Sequence, residues 1–384
     1  MNELRFKDAT GRDFPEWEVV ELEKIALKIN KKNKDLSLNI VLTNSATQGI
    51  VSQSDYFERD IANQNNLGGY YVVQTDDFVY NPRISANALV GPIKRNNLHV
   101  GVMSPLYTVF RFNEGDLDFF EQYFQTNHWH DYMKSVSNSG ARHDRMNITN
   151  ESFFGLPLPY PSKPEQTKIA NFLTAVDEKI TQLTQKCDLL AQYKKGVMQQ
   201  IFSQELRFKD DDGQDYPEWE ETTLGEISVK KSSNIAANKI EENEGDYKIY
   251  GAAGVLKKVD FFTQNDAYIS IVKDGAGVGR VFLCEPKTSV LGTMDIIQPK
   301  ENVDISFLYA VLEQIDFVIY VTGSTIPHIY YKDYSKEEIS VPSLKEQTKI
   351  ANFLTALDDK ITATKTQLQA VKQYKQGLLQ QMFV

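Results

Sequence analysis

The 384-residue chain has only two cysteines and five histidines, which leaves little material for disulfide or metal chemistry. Cys187 and Cys284 lie far apart without the paired spacing of a zinc site. They read as small hydrophobes in a chain kept in a reducing compartment. No stretch reaches the roughly 18 consecutive apolar residues that a membrane-crossing helix needs. The opening MNELRFKDATGRDF is charged and has no apolar core, so no secretory signal is expected and the cytoplasm is the expected location. Positive charge is also short: 42 Lys and Arg face 52 Asp and Glu, a net charge of −10. Overall charge therefore argues against a simple nucleic-acid binder, and any such role must rest on local basic clusters or on partners that add positive surface.

Catalytic patterns are equally scarce. There is no G-x-x-x-x-G-K-[ST] phosphate loop. DGAGVGR (274–280) offers G-x-G-x-G, but the β-prone RVFLCE follows it where a dinucleotide site needs a helix, so a tight hairpin turn is the expected structure. HWH (128–130) has no further His or Cys cluster to complete a metal site. NPRI (81–84) lacks the second proline and the aromatic of an amino-methyltransferase loop. The acidic clusters DEK (177–179) and DDK (358–360) fall inside helical heptads, where solvated surface is expected. No Ser-His-Asp or Cys-His arrangement emerges. These absences indicate a binding protein without metal or cofactor.

What the chain does have is duplication. LRFKDATGRDFPEWE (4–18) returns as LRFKDDDGQDYPEWE (206–220), 202 residues later. EQTKIANFLTAVDEKIT (165–181) and YKKGVMQQIF (193–202) return at 346–362 and 374–383, both 181 residues later. The stretches between align only near their ends, so the plan is constant, variable, constant, variable, constant. QQMFV at the C-terminus followed by MNELRFKD at the N-terminus would reproduce the internal QQIFSQELRFKD. Two copies of so large a unit suggest a pseudo-dimer in one chain, with ends that meet, since a solenoid repeat would be shorter and more numerous.

Each repeated helix follows a proline and a serine, Ser162 or Ser343, with Glu165 or Glu346 three residues on. That is capping-box spacing. A 4,3 spacing then runs through Ile169, Leu173, Val176, Ile180, Leu183, Cys187, Leu190, Lys194, Val197 and Ile201. The second copy runs through Ile350, Leu354, Leu357, Ile361, Thr364, Leu368, Val371, Lys375, Leu378 and Met382. Five heptads make an a/d seam that needs a partner, and antiparallel pairing of the two copies is expected. Lys194 and Lys375 interrupt it at the same position, either as a polar break that fixes register or as side chains reaching to solvent at a fraying end. The expected domains are 1–160 and 206–341, each α+β, joined by helices 161–205 and 342–384 with an internal pseudo-twofold repeat. In the variable parts, strands are expected at 68–81, 104–112, 267–273 and 279–285, with single helices at 116–136 and 305–321.

Candidate DNA contacts come from residue type and loop position. NSGARHDRMNIT (138–149) gathers Arg142, His143, Arg145 and Asn147, residue types suited to purine edges. Lys94 and Arg95 suit phosphates, and Arg83 lies upstream of them. The second half offers Ser324, Thr325, His328, Tyr330 and Lys332 just ahead of its constant helix, with Lys273 and Arg280 flanking the glycine turn.

Two unlike domains, each followed by PSKPEQTKIANFLTAVDEKI or PSLKEQTKIANFLTALDDKI and each opened by ELRF and EW, resemble the specificity subunit of Type I restriction-modification systems. The resemblance spans essentially the whole chain. It implies two target-recognition domains that read the halves of a bipartite double-stranded DNA site. It also implies paired helices that measure the gap, docking of two methyltransferase subunits and of restriction subunits, and no catalysis by the chain itself. A coiled-coil scaffold whose variable domains bind protein or glycan is the alternative class, and an enzyme built around DGAGVGR the third.

Overall fold

The computed structural model describes residues 4–56, 64–138 and 144–383. It divides into two units, Met1–Leu183 with Gln367–Val384, and Thr184–Thr366. Each unit thus holds one variable domain and part of each long helix.

In the first unit the chain runs through β1 (Glu18–Glu21), α1 (Leu22–Ile25), β2 (Ala26–Lys28), β3 (Leu42–Ser45), β4 (Gly49–Ser52) and α2 (Gln53–Tyr56). It continues through β5 (Tyr71–Val73), β6 (Phe78–Tyr80), β7 (Ile93–Arg95), β8 (Gly101–Met103) and β9 (Thr108–Phe112). Helices α3 (Leu117–Tyr123), α4 (His130–Val136) and α5 (Asn150–Phe154), strand β10 (Pro157–Tyr160) and the long α6 (Lys163–Phe202) follow. The central sheet is antiparallel with order β2-β9-β6-β7. Its core is aromatic: Phe112 stacks on Phe120 at 4.2 Å, and Phe78 meets Phe110 and Phe112 at 5.7 and 5.0 Å.

The second unit carries β11 (Glu220–Thr223), α7 (Leu224–Ile227), β12 (Ser228–Ser232), β13 (Tyr247–Gly251), β14 (Gly254–Val259), β15 (Tyr268–Val272) and β16 (Val281–Cys284). Then come β17 (Ser289–Val290), β18 (Met294–Pro299), α8 (Ile305–Gln314), α9 (Tyr331–Tyr334), β19 (Glu338–Val341) and α10 (Leu344–Met382). Its central sheet has order β12-β18-β15-β16. It matches the first sheet strand for strand, although the two sequences do not align. β15, YISIV, is buried along its whole length, as a strand covered on both faces must be.

Some expected elements change form. The stretch 68–81 breaks into β5 and β6 around Asp76, whose φ is +72°. The stretch 104–112 becomes strand only from Thr108. The expected helix 116–136 is two helices, because Thr126 Oγ1 donates to the Tyr123 carbonyl and the Trp129 indole to the Thr126 carbonyl, ending the first one. The expected helix 305–321 stops at Gln314, and Asp316 opens a separate 3-10 turn by accepting from the Val318 N–H. β-branched residues at 315, 318, 319 and 321 favour that stop.

Within the first unit Ile169, Ala170 and Leu173 pack with Leu378, Leu379 and Met382, and within the second Val197, Met198 and Ile201 pack with Ile350, Leu354 and Leu357. The helix segments therefore run antiparallel in each unit. Leu183 and Ile361 are buried, while Val176, Ile180, Leu190, Leu368 and Val371 are half-buried, as a two-helix seam leaves them. Lys194 and Lys375 are polar breaks held by ion pairs. Lys194 Nζ lies 2.8 Å from Asp358 and 3.0 Å from Glu313; Lys375 Nζ lies 2.6 Å from Asp177 and 2.7 Å from Gln125 Oε1. Asp177 and Asp358 are thus ion-pair partners rather than merely solvated surface. The same contact forms once inside each unit. Replacing Lys375 by Met should destabilise the first unit by about 1–2 kcal/mol in urea unfolding, since Asp177 loses its cation beside an apolar seam. Adding Asp177→Leu should recover most of that loss.

The capping boxes do not form. Ser162 and Ser343 accept helix N–H groups through their carbonyls, and their Oγ atoms are buried with no partner among the described residues. Glu165 and Glu346 are fully buried and turn instead to an arginine from the other repeated segment. Arg5 reaches Glu165 at 3.0 and 3.2 Å and the Pro15 carbonyl at 2.6 Å; Arg207 reaches Glu346 at 3.0 and 3.4 Å and the Pro217 carbonyl at 2.6 Å. A two-pronged charge-assisted bond outcompetes a neutral cap. The next residue ties in the variable domain: Gln166 Oε1 accepts from the Asp116 N–H at 2.8 Å, and Gln347 Oε1 from the Asp304 N–H at 2.9 Å. Asp116 and Asp304 are themselves the N-caps of α3 and α8.

Candidate nucleic-acid interface

In each unit the turn that follows the third strand of the central sheet meets the loop that precedes the constant helix. In the first unit the β6–β7 connection and the 138–149 loop join through a backbone bridge, Arg83↔Arg145. The Ile84 N–H donates to the Asp144 carbonyl at 3.1 Å and the Met146 N–H to the Pro82 carbonyl at 2.8 Å. In the second unit the β15–β16 turn and the 322–328 loop join through Asp274↔His328, with the Gly275 N–H on the Pro327 carbonyl at 2.9 Å. Segments chosen separately in the sequence thus come to one edge of each domain.

The glycine turn is a hairpin. Gly275, Gly277 and Gly279 have φ of +87°, +98° and +84°, and β16 follows directly. A Cβ on Gly279 would stand 2.6 Å from Phe317 Cβ, so both conformation and space require glycine there. The 322–328 loop is fixed by paired Thr322 and His328 backbone bonds of 2.8 and 2.9 Å, and His328 Nδ1 lies 3.1 Å from the Ile326 carbonyl. A depression of 730 Å³ lies beside Gly275 and Ser324–Ile326.

The candidate side chains differ in availability. Arg83 is exposed and borders a 450 Å³ cavity with Asn44, Tyr70 and Tyr107. Arg145 is held by its neighbour Asp144 at 3.1 Å, and that arginine keeps the Asp144 carboxyl below its usual range. Asn147 is exposed. Arg142 and His143 lie outside the described residues. Arg95 is bound by Asp76, Asp118 and Glu121, which neutralise it. Lys94 is half-buried in β7 and lines a cavity that does not include Arg83. In the second unit Lys273 is paired with Asp295 at 3.2 Å, whereas Arg280 is exposed and donates to the Ala252 carbonyl. Ser324, Thr325, Tyr330 and Lys332 are exposed, with Lys332 Nζ 5.4 Å from the Tyr330 ring centre.

Of the pinning residues, Arg5, Gln166, Arg207 and Gln347 were not singled out by sequence reasoning, and Glu165 and Glu346 were read only as capping-box residues. Their identity in both copies was the available signal. Asp116 and Asp304 carried a weaker one, the short match DLDFF and DISFL at the start of each domain helix.

The family model for the Type I restriction modification DNA specificity domain matches residues 15–191 and again 216–373. The Type I restriction enzyme MjaVIII specificity subunit of Methanocaldococcus jannaschii is 29% identical over 196 residues, 47% of this chain and 46% of that protein. The putative MjaX specificity subunit of the same organism is 28% identical over 250 residues, 58% of this chain and 57% of that protein. The matches thus span about half the length of these curated relatives. Among solved structures, the S subunit of a Type I restriction-modification system from M. genitalium covers 100% of this chain and 99% of its own at TM-score 0.65 and 17% identity. That likeness concerns the fold. No helix among the described residues is long and apolar enough to cross a membrane.

Proposed function

Given that the chain belongs to the family of Type I restriction-modification DNA specificity proteins, we propose that it is the non-catalytic subunit that reads a bipartite double-stranded DNA target. Each variable domain would read one half-site with the edge where its central-sheet turn meets the loop before the constant helix. The paired backbone bridges, Arg83↔Arg145 and Asp274↔His328, are the observation that carries this reading, because they bring separately chosen segments to the equivalent place in both domains. The antiparallel helices would set the gap between half-sites. Two methyltransferase subunits, and restriction subunits in the full complex, would dock on the repeated framework. Positive surface from those partners would offset the net charge of −10.

The test is co-expression with candidate methyltransferase subunits followed by mapping of methylated adenines on genomic DNA. A gapped two-part motif is expected, and replacing residues 221–345 by another recognition domain should change one half of it only. Absence of both complex and methylation, or a change in both halves, overturns the reading. On the purified complex, Arg83→Ala should weaken DNA binding and reduce the salt slope of log K by about one. Arg95→Ala should leave that slope unchanged, because three carboxylates already neutralise Arg95.

A further inference from the structure

Lys94 differs in its pairing from Arg95 and Lys375. Arg95 beside it is paired with three acids, and Lys375 is paired with Asp177. Lys94 is half-buried in β7, and its ammonium makes no hydrogen bond or ion pair among the described residues. It lines a 590 Å³ cavity together with Asn87, Gln125, His130, Gln376 and Gln380. No described residue lining this cavity is an Asp or a Glu, although the chain carries 52 of them. The nearby acids are occupied: Glu121 holds Asn97 Nδ2 at 2.7 Å and Arg95 at 3.3 Å, and Asp177 holds Lys375 and Gln122. Burial pushes the Lys94 ammonium below its ordinary pKa; Glu121 opposes that and Lys375 adds to it.

An ammonium drawn out of water without a counter-charge is costly unless something brings one. The lining matches what an anion needs: a cation, an imidazole and side-chain amides whose N–H groups can point inward. We propose that this cavity is a binding site for a small phosphate-type anion, with Lys94 as its charge partner and His130, Gln376 and Gln380 as candidate donors. The shared chemistry is a phosphate group, and the free anion, rather than the DNA backbone, is the occupant proposed. The reason is placement: Lys94 lines this open cavity beside Gln376 and Gln380 of the long helix, whereas Arg83 borders a different one. Occupancy would also screen Lys94 from Lys375 and so favour the Lys375–Asp177 contact between the long helices.

The experiment uses the full-length chain, with partner subunits where they are needed for solubility. Inorganic phosphate and pyrophosphate are titrated against chloride at matched ionic strength. Two readouts are taken, the thermal midpoint and the rate at which an amine-reactive ester labels each lysine, followed by mass spectrometry. Phosphate or pyrophosphate should raise the midpoint by about 3 °C near saturation. It should slow labelling of Lys94 several-fold while leaving exposed lysines such as Lys332 unchanged. Lys94→Met should abolish the midpoint shift. In the wild-type chain the labelling arm stands without any substitution, so a variant that fails to fold does not remove the test. Equal labelling of Lys94 with and without phosphate overturns the proposal. So does an equal midpoint shift in Lys94→Met, or a fall of about one in the DNA salt slope on Lys94→Gln, which would assign the lysine to the DNA backbone. Failure of DNA reading altogether would leave the phosphate readouts intact, so the two proposals fail separately.

Discussion

Replacing Arg5 by alanine is expected to destabilise the first unit by about 3–5 kcal/mol, because it leaves the fully buried Glu165 carboxylate without its cation. The second unit provides an internal control. Arg207→Ala strands Glu346 in the same way, but Glu346 Oε2 keeps a bond from the Trp219 indole at 3.2 Å. The equivalent Trp17 indole has no partner among the described residues. Arg207→Ala should therefore cost roughly 1 kcal/mol less than Arg5→Ala, the value of one retained hydrogen bond. Urea unfolding of the two variants, with Trp17 and Trp219 fluorescence distinguishing the units, checks both numbers. Glu165→Gln should be milder than Arg5→Ala, since it removes the buried charge and keeps a hydrogen-bonding side chain of the same shape. Equal stability of wild type and Arg5→Ala would show that the buried pair does not hold the constant helix to the N-terminal arm.

Phe383→Ala should cost the first unit about 3–5 kcal/mol, although the residue is next to last in the chain. Chain ends are usually dispensable unless something ties them down. Phe383 is only 4% exposed and forms an aromatic trio with Trp17 and Phe119, at 6.4 and 5.3 Å. Phe202 forms the same trio with Trp219 and Phe307, at 6.4 and 5.9 Å, but is only half-buried. Phe202→Ala should accordingly cost less than Phe383→Ala. A protein ending at Met382 should reproduce the Phe383→Ala unfolding free energy within about 1 kcal/mol, which denaturant titration gives. An unchanged midpoint would mean that Phe383, just past the end of α10, does not close the core.

Much of this organisation was readable in the residues. The 181-residue offset announced two equivalent helices, and the 4,3 spacing picked out Ile169, Leu173, Ile350 and Leu354 as buried seam positions. The glycines of DGAGVGR followed by β-prone residues marked a hairpin, and the near-joining of QQMFV to MNELRFKD anticipated Phe383 on the N-terminal arm. Patterns of this kind survive in a linear text because helix period and backbone stereochemistry are local. The capping boxes misled for the opposite reason. Ser162 and Glu165 have the right spacing, but the arginine that captures Glu165 lies 160 residues away in sequence.

The candidate interface divides along the same line. Residue type nominated Arg83, Arg95, Arg145, Lys94 and Lys273 alike. Only the folded chain separates exposed Arg83 from Arg95, bound by three acids, and from Lys273, bound by Asp295. By itself the sequence determined the duplicated plan, the two long helices and their seams, since these depend on local period and repetition. The tertiary structure alone decided how the EQ pair of each constant helix clamps an arginine and a domain helix, and which basic side chains are free. Those outcomes depend on charges brought together across long sequence separations, and pairing strength there follows burial and distance rather than spacing along the chain.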